Sequence, residues 1–181
     1  MKKLLPKISD EDLAVIRSLR MRSPYVWLAT WFGSGFMRPA PGTWGSLAAL
    51  PFGLLLLAFA NTVVLAIAII LVTIIGLWAA REFEKDSGVH DSKMIVIDEV
   101  AGQWLSMVPI SLYVSVSAPL FPVYVILSFV CFRFFDIIKP WPVSFFDKKV
   151  GGATGVMADD IAAGLYAALV LTGIIIYAGS G

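Results

Sequence analysis

The sequence predicts an all-α fold, a polytopic membrane helix bundle of about five spans with an N-terminal amphipathic or re-entrant segment. Hydrophobic residues make up 59% of the 181 residues and charged residues only 15%, unlike the composition of a soluble domain. Residues 39–80, 100–132 and 161–181 carry no charge, and each stretch is long enough for one or two helices across about 30 Å of hydrocarbon. Residues 1–181 are expected to form a single domain.

The first 38 residues are expected to lie at the membrane surface. Residues 1–22 combine lysines and arginines with Leu13, Ile16 and Leu19 at helical spacing, which is typical of an amphipathic helix on anionic headgroups. A solvated tail fits these residues equally well. Residues 23–38 are apolar and aromatic but too short to cross a bilayer, which indicates an interfacial or re-entrant segment.

Turn signals divide the charge-free stretches into predicted spans. Asn61 and Thr62 form the natural turn of the first stretch, and Ser117, Pro119 and Pro122 interrupt the second. The predicted spans lie near residues 44–60, 62–80, 99–116, 120–138 and 159–178.

The charged residues fall in three segments, residues 1–38, 81–99 and 133–160. Five crossings would place these segments on one side of the membrane and the charge-free turns on the other. Because Lys and Arg are in excess beside the spans, the charged side is predicted to face the cytoplasm.

Three groups of carboxylates lie where hydrophobic segments begin or end. The first group begins the third predicted span, the second ends the fourth, and the third begins the fifth. Carboxylates beside hydrocarbon are unfavourable unless a cation or hydrogen bonds compensate them. The topology places all three groups at one depth, and hard oxygen ligands suit Mg²⁺. The candidate metal ligands are Asp98, Glu99, Asp136, Asp159 and Asp160.

Basic and glycine-rich residues near these carboxylates predict a phosphate site. Arg133 and Lys139 each lie three residues from Asp136, and both are suitable phosphate ligands. Glycines in residues 33–46 allow backbone N–H groups to approach an anion, and the hydroxyl of Thr43 or Ser46 can cap the helix that follows. A simple loop before a span is the alternative. The candidate substrate-binding residues are Arg133, Lys139, Gly33, Ser34, Gly42, Thr43 and Ser46.

Several phosphatase chemistries lack their residues in this chain. Cys131 is followed by Arg133 after only two positions, His90 is the sole histidine, and no two aspartates separated by one residue begin a predicted strand. Water activated by a bound metal ion is the chemistry that remains. Simple pairing of acids with neighbouring bases is the structural alternative. The candidate catalytic residues are Asp98, Glu99, Asp136, Arg133 and His90, although His90 is alternatively a solvated loop residue.

A set of motifs runs in order from about residue 22 to 165: Gly-Ser-Gly at 33–35, Pro-Gly-Thr-Trp-Gly-Ser at 41–46, Gly-Val-His-Asp at 88–91, Asp-Glu at 98–99 with Gly102, Arg-Phe-Phe-Asp at 133–136, Lys-Pro-Trp-Pro at 139–142, Phe-Asp at 146–147, Gly-Gly-Ala-Thr-Gly-Val-Met-Ala-Asp-Asp at 151–160 and Ala-Gly at 163–164. With these motifs the sequence resembles the phosphatidylglycerophosphatase A family, small bacterial membrane enzymes. The resemblance implies Mg²⁺ as cofactor and phosphatidylglycerophosphate in the membrane as substrate. It also implies a role in phospholipid synthesis at the cytoplasmic (inner) membrane.

Two other classes of membrane protein also use carboxylates in or near the membrane. A small cation transporter also uses membrane carboxylates, but its acids would lie near the middle of its spans rather than at one end. A phosphatidyl-alcohol transferase uses aspartates and Mg²⁺, but its aspartate-rich signature is not present. A net charge of +1 without a basic patch gives no sign of a nucleic-acid partner, and no feature indicates an oligomeric state.

Overall fold

The computed structural model of the chain describes residues 9–179. The regular elements in this range are all helical, as predicted. Their bounds are α1 Asp10–Ser18, α2 Pro24–Ala29, a 3-10 turn Ser34–Phe36, α3 Pro41–Phe59, α4 Thr62–Ser87, α5 Ile97–Ser106, α6 Val108–Tyr113, α7 Phe121–Ile138, α8 Val143–Lys149 and α9 Gly152–Gly179.

Four helices of the described chain, α3, α4, α7 and α9, are long and apolar enough to cross a membrane. They coincide with four of the five predicted spans. Two of them are longer than predicted, because α4 continues to Ser87 and α9 already begins at Gly152. The charged residues near the end of α4 and near the beginning of α9 are therefore part of these helices and not of loops.

The remaining predicted span, residues 99–116, forms two short helices rather than one continuous helix. Helix α5 ends at Ser106 and α6 begins at Val108. Pro109 explains the break, because proline has no N–H for the carbonyl of Leu105 and its ring would clash with that carbonyl. Helix α5 contacts α3, α4, α7 and α9, and such an interrupted segment is tolerated at membrane depth where protein surrounds it.

The prediction of a helix within residues 1–22 is confirmed by α1, although residues 1–8 lie outside the described chain. Ser9 caps this helix by accepting a hydrogen bond from the backbone N–H of Asp12. Asp12 also forms an ion pair of 2.7 Å with Arg38, which ties α1 to the segment before α3. The hydrogen bonds with Arg38 hold the pKa of Asp12 below its ordinary value, so the pair is charged at neutral pH. Contact of α1 with a membrane surface stays a prediction.

The segment from residue 23 to residue 38 is too short to span, as predicted. Its α2 helix has six residues and is followed by the 3-10 turn. The indole N–H of Trp31 donates to the carbonyl of Ala48 at 3.2 Å, and its ring packs edge-on against Phe52 at 5.2 Å between centroids. The segment therefore packs along the side of α3.

Two glycines allow α5 and α9 to pack with their backbones in contact. A β-carbon at Gly164 would lie 2.6 Å from the carbonyl oxygen of Gly102, closer than real β-carbons approach. A β-carbon at Gly102 would in turn meet the ring of Phe132 on α7. Small residues permit such close helix crossings. This crossing brings the start of α5 next to the start of α9, where two of the carboxylate groups lie.

Candidate active site

Three of the predicted metal ligands form one cluster. Asp98 and Glu99 lie in the first turn of α5 and Asp160 lies on α9, and one carboxylate oxygen from each lies within 4.8 Å of the others. Asp98 and Asp160 are only 4% and 3% exposed. Within the described chain, Asp98 Oδ1 and Glu99 Oε2 are buried and accept no hydrogen bond.

This cluster fits a divalent cation. Buried carboxylate oxygens without a donor are strongly unfavourable unless a positive charge compensates them. The cluster offers only hard oxygen atoms, which Mg²⁺ prefers, and Mg²⁺ takes few protein carboxylates beside water and phosphate. We therefore assign Asp98, Glu99 and Asp160 as the residues that would hold the ion.

The other two predicted ligands are paired with basic side chains. Asp136 Oδ2 lies 2.7 Å from Arg133 Nη1, one turn away on α7. Asp159 Oδ2 accepts a hydrogen bond of 2.6 Å from Lys139 Nζ, and Lys139 also pairs with Asp147. The five predicted ligands thus divide into a cluster of three and two acids that hold cations in place.

Lys139 follows the last residue of α7 and has a left-handed backbone conformation. Its side chain reaches the carboxylates of Asp147 and Asp159. Burial alone would lower the pKa of this lysine. Hydrogen bonds to Asp147 and Asp159 outweigh that effect and raise the pKa above its ordinary value. The ammonium group is therefore charged throughout the physiological pH range.

Arg133 is fixed by contacts from two helices. Its Nη1 donates to Ser46 Oγ at 3.3 Å as well as pairing with Asp136, and Ser46 Oγ donates to the carbonyl of Gly42 at 2.9 Å. A β-carbon at Gly42 would overlap Glu99 Oε1 and lie 3.3 Å from both terminal nitrogens of Arg133. The beginning of α3 can pack against both side chains only because residue 42 is glycine.

All these charged side chains line one cavity of about 460 Å³. Its lining contains seven carboxylates and three cations, a formal excess of four negative charges. The residues of the cavity that carry a charge or come from the start of α3 are Pro41, Gly42, Thr43, Asp91, Lys93, Asp98, Glu99, Arg133, Asp136, Lys139, Asp147, Asp159 and Asp160.

Four predicted site residues do not line the cavity, and one of them, Ser46, still contacts Arg133. Gly33 and Ser34 line a separate pocket beside Phe52, because the left-handed backbone at Gly33 directs the chain into the 3-10 turn along α3. The side chain of His90 is 81% exposed and its Nδ1 lies 3.4 Å from Glu84 Oε2. Glu84 also accepts the backbone N–H of residue 91, so it holds this loop with the imidazole outside the cavity lining.

Asp91, Lys93 and Asp147 line the cavity without having been among the candidate site residues. Asp91 and Asp147 belong to motifs that carry the family resemblance, and this was the available signal. Lys93 stands in no motif, and its position depends on how the loop before α5 folds back over the cavity.

Comparison with known proteins agrees with the motifs. A sequence model described as Phosphatidylglycerophosphatase A matches residues 27–175. The Escherichia coli K12 protein named phosphatidylglycerophosphatase A is 39% identical over 170 residues, which are 93% of this chain and 91% of the relative. The Haemophilus influenzae protein of the same name is 36% identical over 156 residues, 86% of this chain and 91% of the relative.

A third relative, from Bacteroides thetaiotaomicron, is provisionally named a phosphatidylinositol-3-phosphatase and is 37% identical over 156 residues, 81% of this chain and 90% of that relative. No solved structure shows a significant match. The family model and the first two relatives cover most of the chain, and the range that the family model matches includes the three clustered carboxylates. The chain therefore belongs to the phosphatidylglycerophosphatase A family of membrane phosphatases.

Proposed function

We propose that the protein hydrolyses phosphatidylglycerophosphate to phosphatidylglycerol and inorganic phosphate. The reaction would depend on Mg²⁺ and take place at the cytoplasmic face of the bacterial inner membrane. The observation that carries this proposal is the buried carboxylate cluster beside Arg133 and Lys139 in one cavity. The names of the E. coli and H. influenzae relatives support the choice of substrate.

The charge of the cavity explains why a cation is needed. A phosphomonoester carries about two negative charges at neutral pH, and the cavity already has a formal excess of four. Asp98, Glu99 and Asp160 would hold Mg²⁺ with oxygens that have no other partner. A bound Mg²⁺ would supply charge neutralisation at the phosphate and a water molecule that ionises more readily.

Arg133 and Lys139 line the same cavity and would bind the phosphate. Asp136 and Ser46 orient the guanidinium before substrate arrives, so little side-chain freedom is lost on binding. A guanidinium can make two parallel hydrogen bonds to phosphate oxygens. Charge stabilisation of the peripheral oxygens is the main requirement, because the transition state of phosphoryl transfer is loose.

The attacking water would be oriented and deprotonated by Asp98 or Glu99. Both carboxylates have an oxygen without a donor, and both lie at the positive end of α5. The bond between phosphorus and the glycerol oxygen breaks as the bond to the water oxygen forms, and the proton taken from the water is passed on to the departing glycerol oxygen. The released products are inorganic phosphate and a lipid that ends in a hydroxyl group.

Phosphate release by the purified protein in detergent micelles tests this function. The substrates are phosphatidylglycerophosphate, phosphatidic acid, phosphatidylinositol 3-phosphate and a soluble phosphomonoester, and Glu99→Gln is the inactive control. Release should be fastest from phosphatidylglycerophosphate. An equal rate on the soluble compound, or a faster rate on the inositol lipid for which the Bacteroides relative is named, would show that the substrate is wrongly assigned.

A further inference from the structure

Lys93 differs from the other cations of the cavity in having no carboxylate partner. Arg133 pairs with Asp136, and Lys139 pairs with Asp147 and Asp159. No ion pair joins Lys93 to any acid within residues 9–179. Its charge is therefore available to a ligand without breaking an existing contact.

Lys93 also stands where two cavities meet. A second cavity of about 650 Å³ lies beside α1. It shares Pro41, Asp91, Ser92 and Lys93 with the cavity of about 460 Å³ that holds the carboxylate cluster, here called the catalytic cavity. The other cation that lines the second cavity, Arg38, is paired with Asp12 at 2.7 Å. Among the cations that line either cavity within residues 9–179, Lys93 is thus the one that has no acidic partner, and it lines both cavities.

A ligand with two phosphates would place its second phosphate in this region. In phosphatidylglycerophosphate a glycerol bridge separates the terminal phosphomonoester from the phosphodiester of the lipid, by roughly 7 Å when extended, given single bonds of about 1.5 Å. A sphere with the volume of the catalytic cavity is about 10 Å across. A phosphomonoester at Arg133 would place the phosphodiester about 7 Å away, within reach of other residues that line the cavity, and Lys93 is one of these residues.

We propose, on the basis of the function proposed above, that Lys93 binds the inner phosphodiester and selects lipid headgroups with two phosphates. The phosphodiester keeps its single negative charge during the reaction, so contact with it strengthens binding of substrate and transition state equally. Such a contact changes KM and leaves kcat unchanged. Lys93 is accordingly a specificity residue, whereas Arg133 and Lys139 would contact the reacting phosphate.

The test compares Lys93→Gln with Lys85→Gln, which removes a lysine that is also exposed but lies on α4 outside both cavities. KM and kcat are measured for phosphatidylglycerophosphate in detergent micelles, together with the inhibition constant of inorganic phosphate. Lys93→Gln should raise KM by roughly 10-fold, the effect of one charge-assisted hydrogen bond. The values of kcat and of the phosphate inhibition constant should stay within about twofold of wild type, and Lys93→Arg should restore KM.

A Lys93→Gln variant with unchanged KM would overturn the proposal. A weaker inhibition by inorganic phosphate would overturn it too, because Lys93 would then contact the reacting phosphate itself. Equal effects of Lys93→Gln and Lys85→Gln would show a general attraction of anionic lipids. Absence of wild-type turnover of phosphatidylglycerophosphate in the same assay would instead overturn the proposed function, so the two failures are distinguishable.

Discussion

The backbone of Gly42 lies against the carboxylate of Glu99, so closely that a β-carbon on residue 42 would overlap Glu99 Oε1. Gly42 lies in the first turn of α3 and Glu99 in the first turn of α5, and they are far apart in sequence. This contact fixes the position of a carboxylate that would both hold a cation and orient water. The absence of a side chain at residue 42 is therefore part of the site.

Gly42→Ala is predicted to displace Glu99 and reduce kcat by about 10²-fold, the effect of a misplacement of about 1 Å in an active site. Gly173→Ala is the matched control, because a β-carbon at this helical glycine meets no atom within 4 Å. Both variants should be recovered from membranes in similar amounts and have similar melting temperatures in detergent. Wild-type turnover in Gly42→Ala would show that the position of Glu99 is not critical.

Arg133→Lys is predicted to lower kcat/KM on the order of 10²-fold, as expected for the loss of a preorganised electrostatic group. An ammonium group cannot reproduce the two-pronged contact with phosphate while it also pairs with Asp136. Arg17→Lys on α1 changes an exposed arginine in the same way and serves as the control. Similar kinetics for the two variants would exclude a specific role of the guanidinium.

His90→Asn is predicted to retain turnover within about twofold of wild type, as for substitutions of solvated side chains. The imidazole is exposed and contacts Glu84 rather than the cavity. Steady-state phosphate release from about pH 5.5 to about 8.5 is the measurement. Loss of the activity together with a changed pH profile would show that the loop moves His90 into the site during the reaction.

The sequence predicted those features of the fold and site that depend on local pattern. Long charge-free stretches predicted α3, α4, α7 and α9. Acids at the ends of apolar stretches predicted that Asp98, Glu99, Asp136, Asp159 and Asp160 meet in one site, and three of these five form the cluster. The charge-free pattern does not predict the break between α5 and α6, because Pro109 lies inside an uninterrupted charge-free stretch. The break follows instead from proline, which disrupts the helical turn before it.

Features that depend on contacts distant in sequence were not predictable. Asp159 and Asp160 are neighbours in sequence, but Lys139 pairs with Asp159 and not with Asp160, which leaves Asp160 to the cluster of three. Gly33 was grouped with Gly42 because both lie in glycine-rich sequence, yet only Gly42 reaches the cavity. Such distinctions arise from the packing of helices, and no periodicity or motif spacing reports them.

The charged ends of the bundle are predicted to face the cytoplasm. In a Cys131→Ser background, Ser117→Cys in the turn between α6 and α7 should react with a membrane-impermeant maleimide from the outside of intact cells. His90→Cys, in the exposed loop between α4 and α5, should react only after the membrane is opened. Labelling of His90→Cys in intact cells would reverse the orientation.

Phosphate release from phosphatidylglycerophosphate is measured with EDTA and again after Mg²⁺ is restored. This is the most direct test of whether turnover depends on a divalent cation at the cluster of Asp98, Glu99 and Asp160. Wild-type protein should be inactive in EDTA and recover fully with Mg²⁺. Asp160→Asn should stay inactive at every Mg²⁺ concentration, because one of the three clustered carboxylates is lost. Full release by wild-type protein in EDTA, or normal Mg²⁺ activation of Asp160→Asn, would contradict the assignment of this cluster as the catalytic metal site.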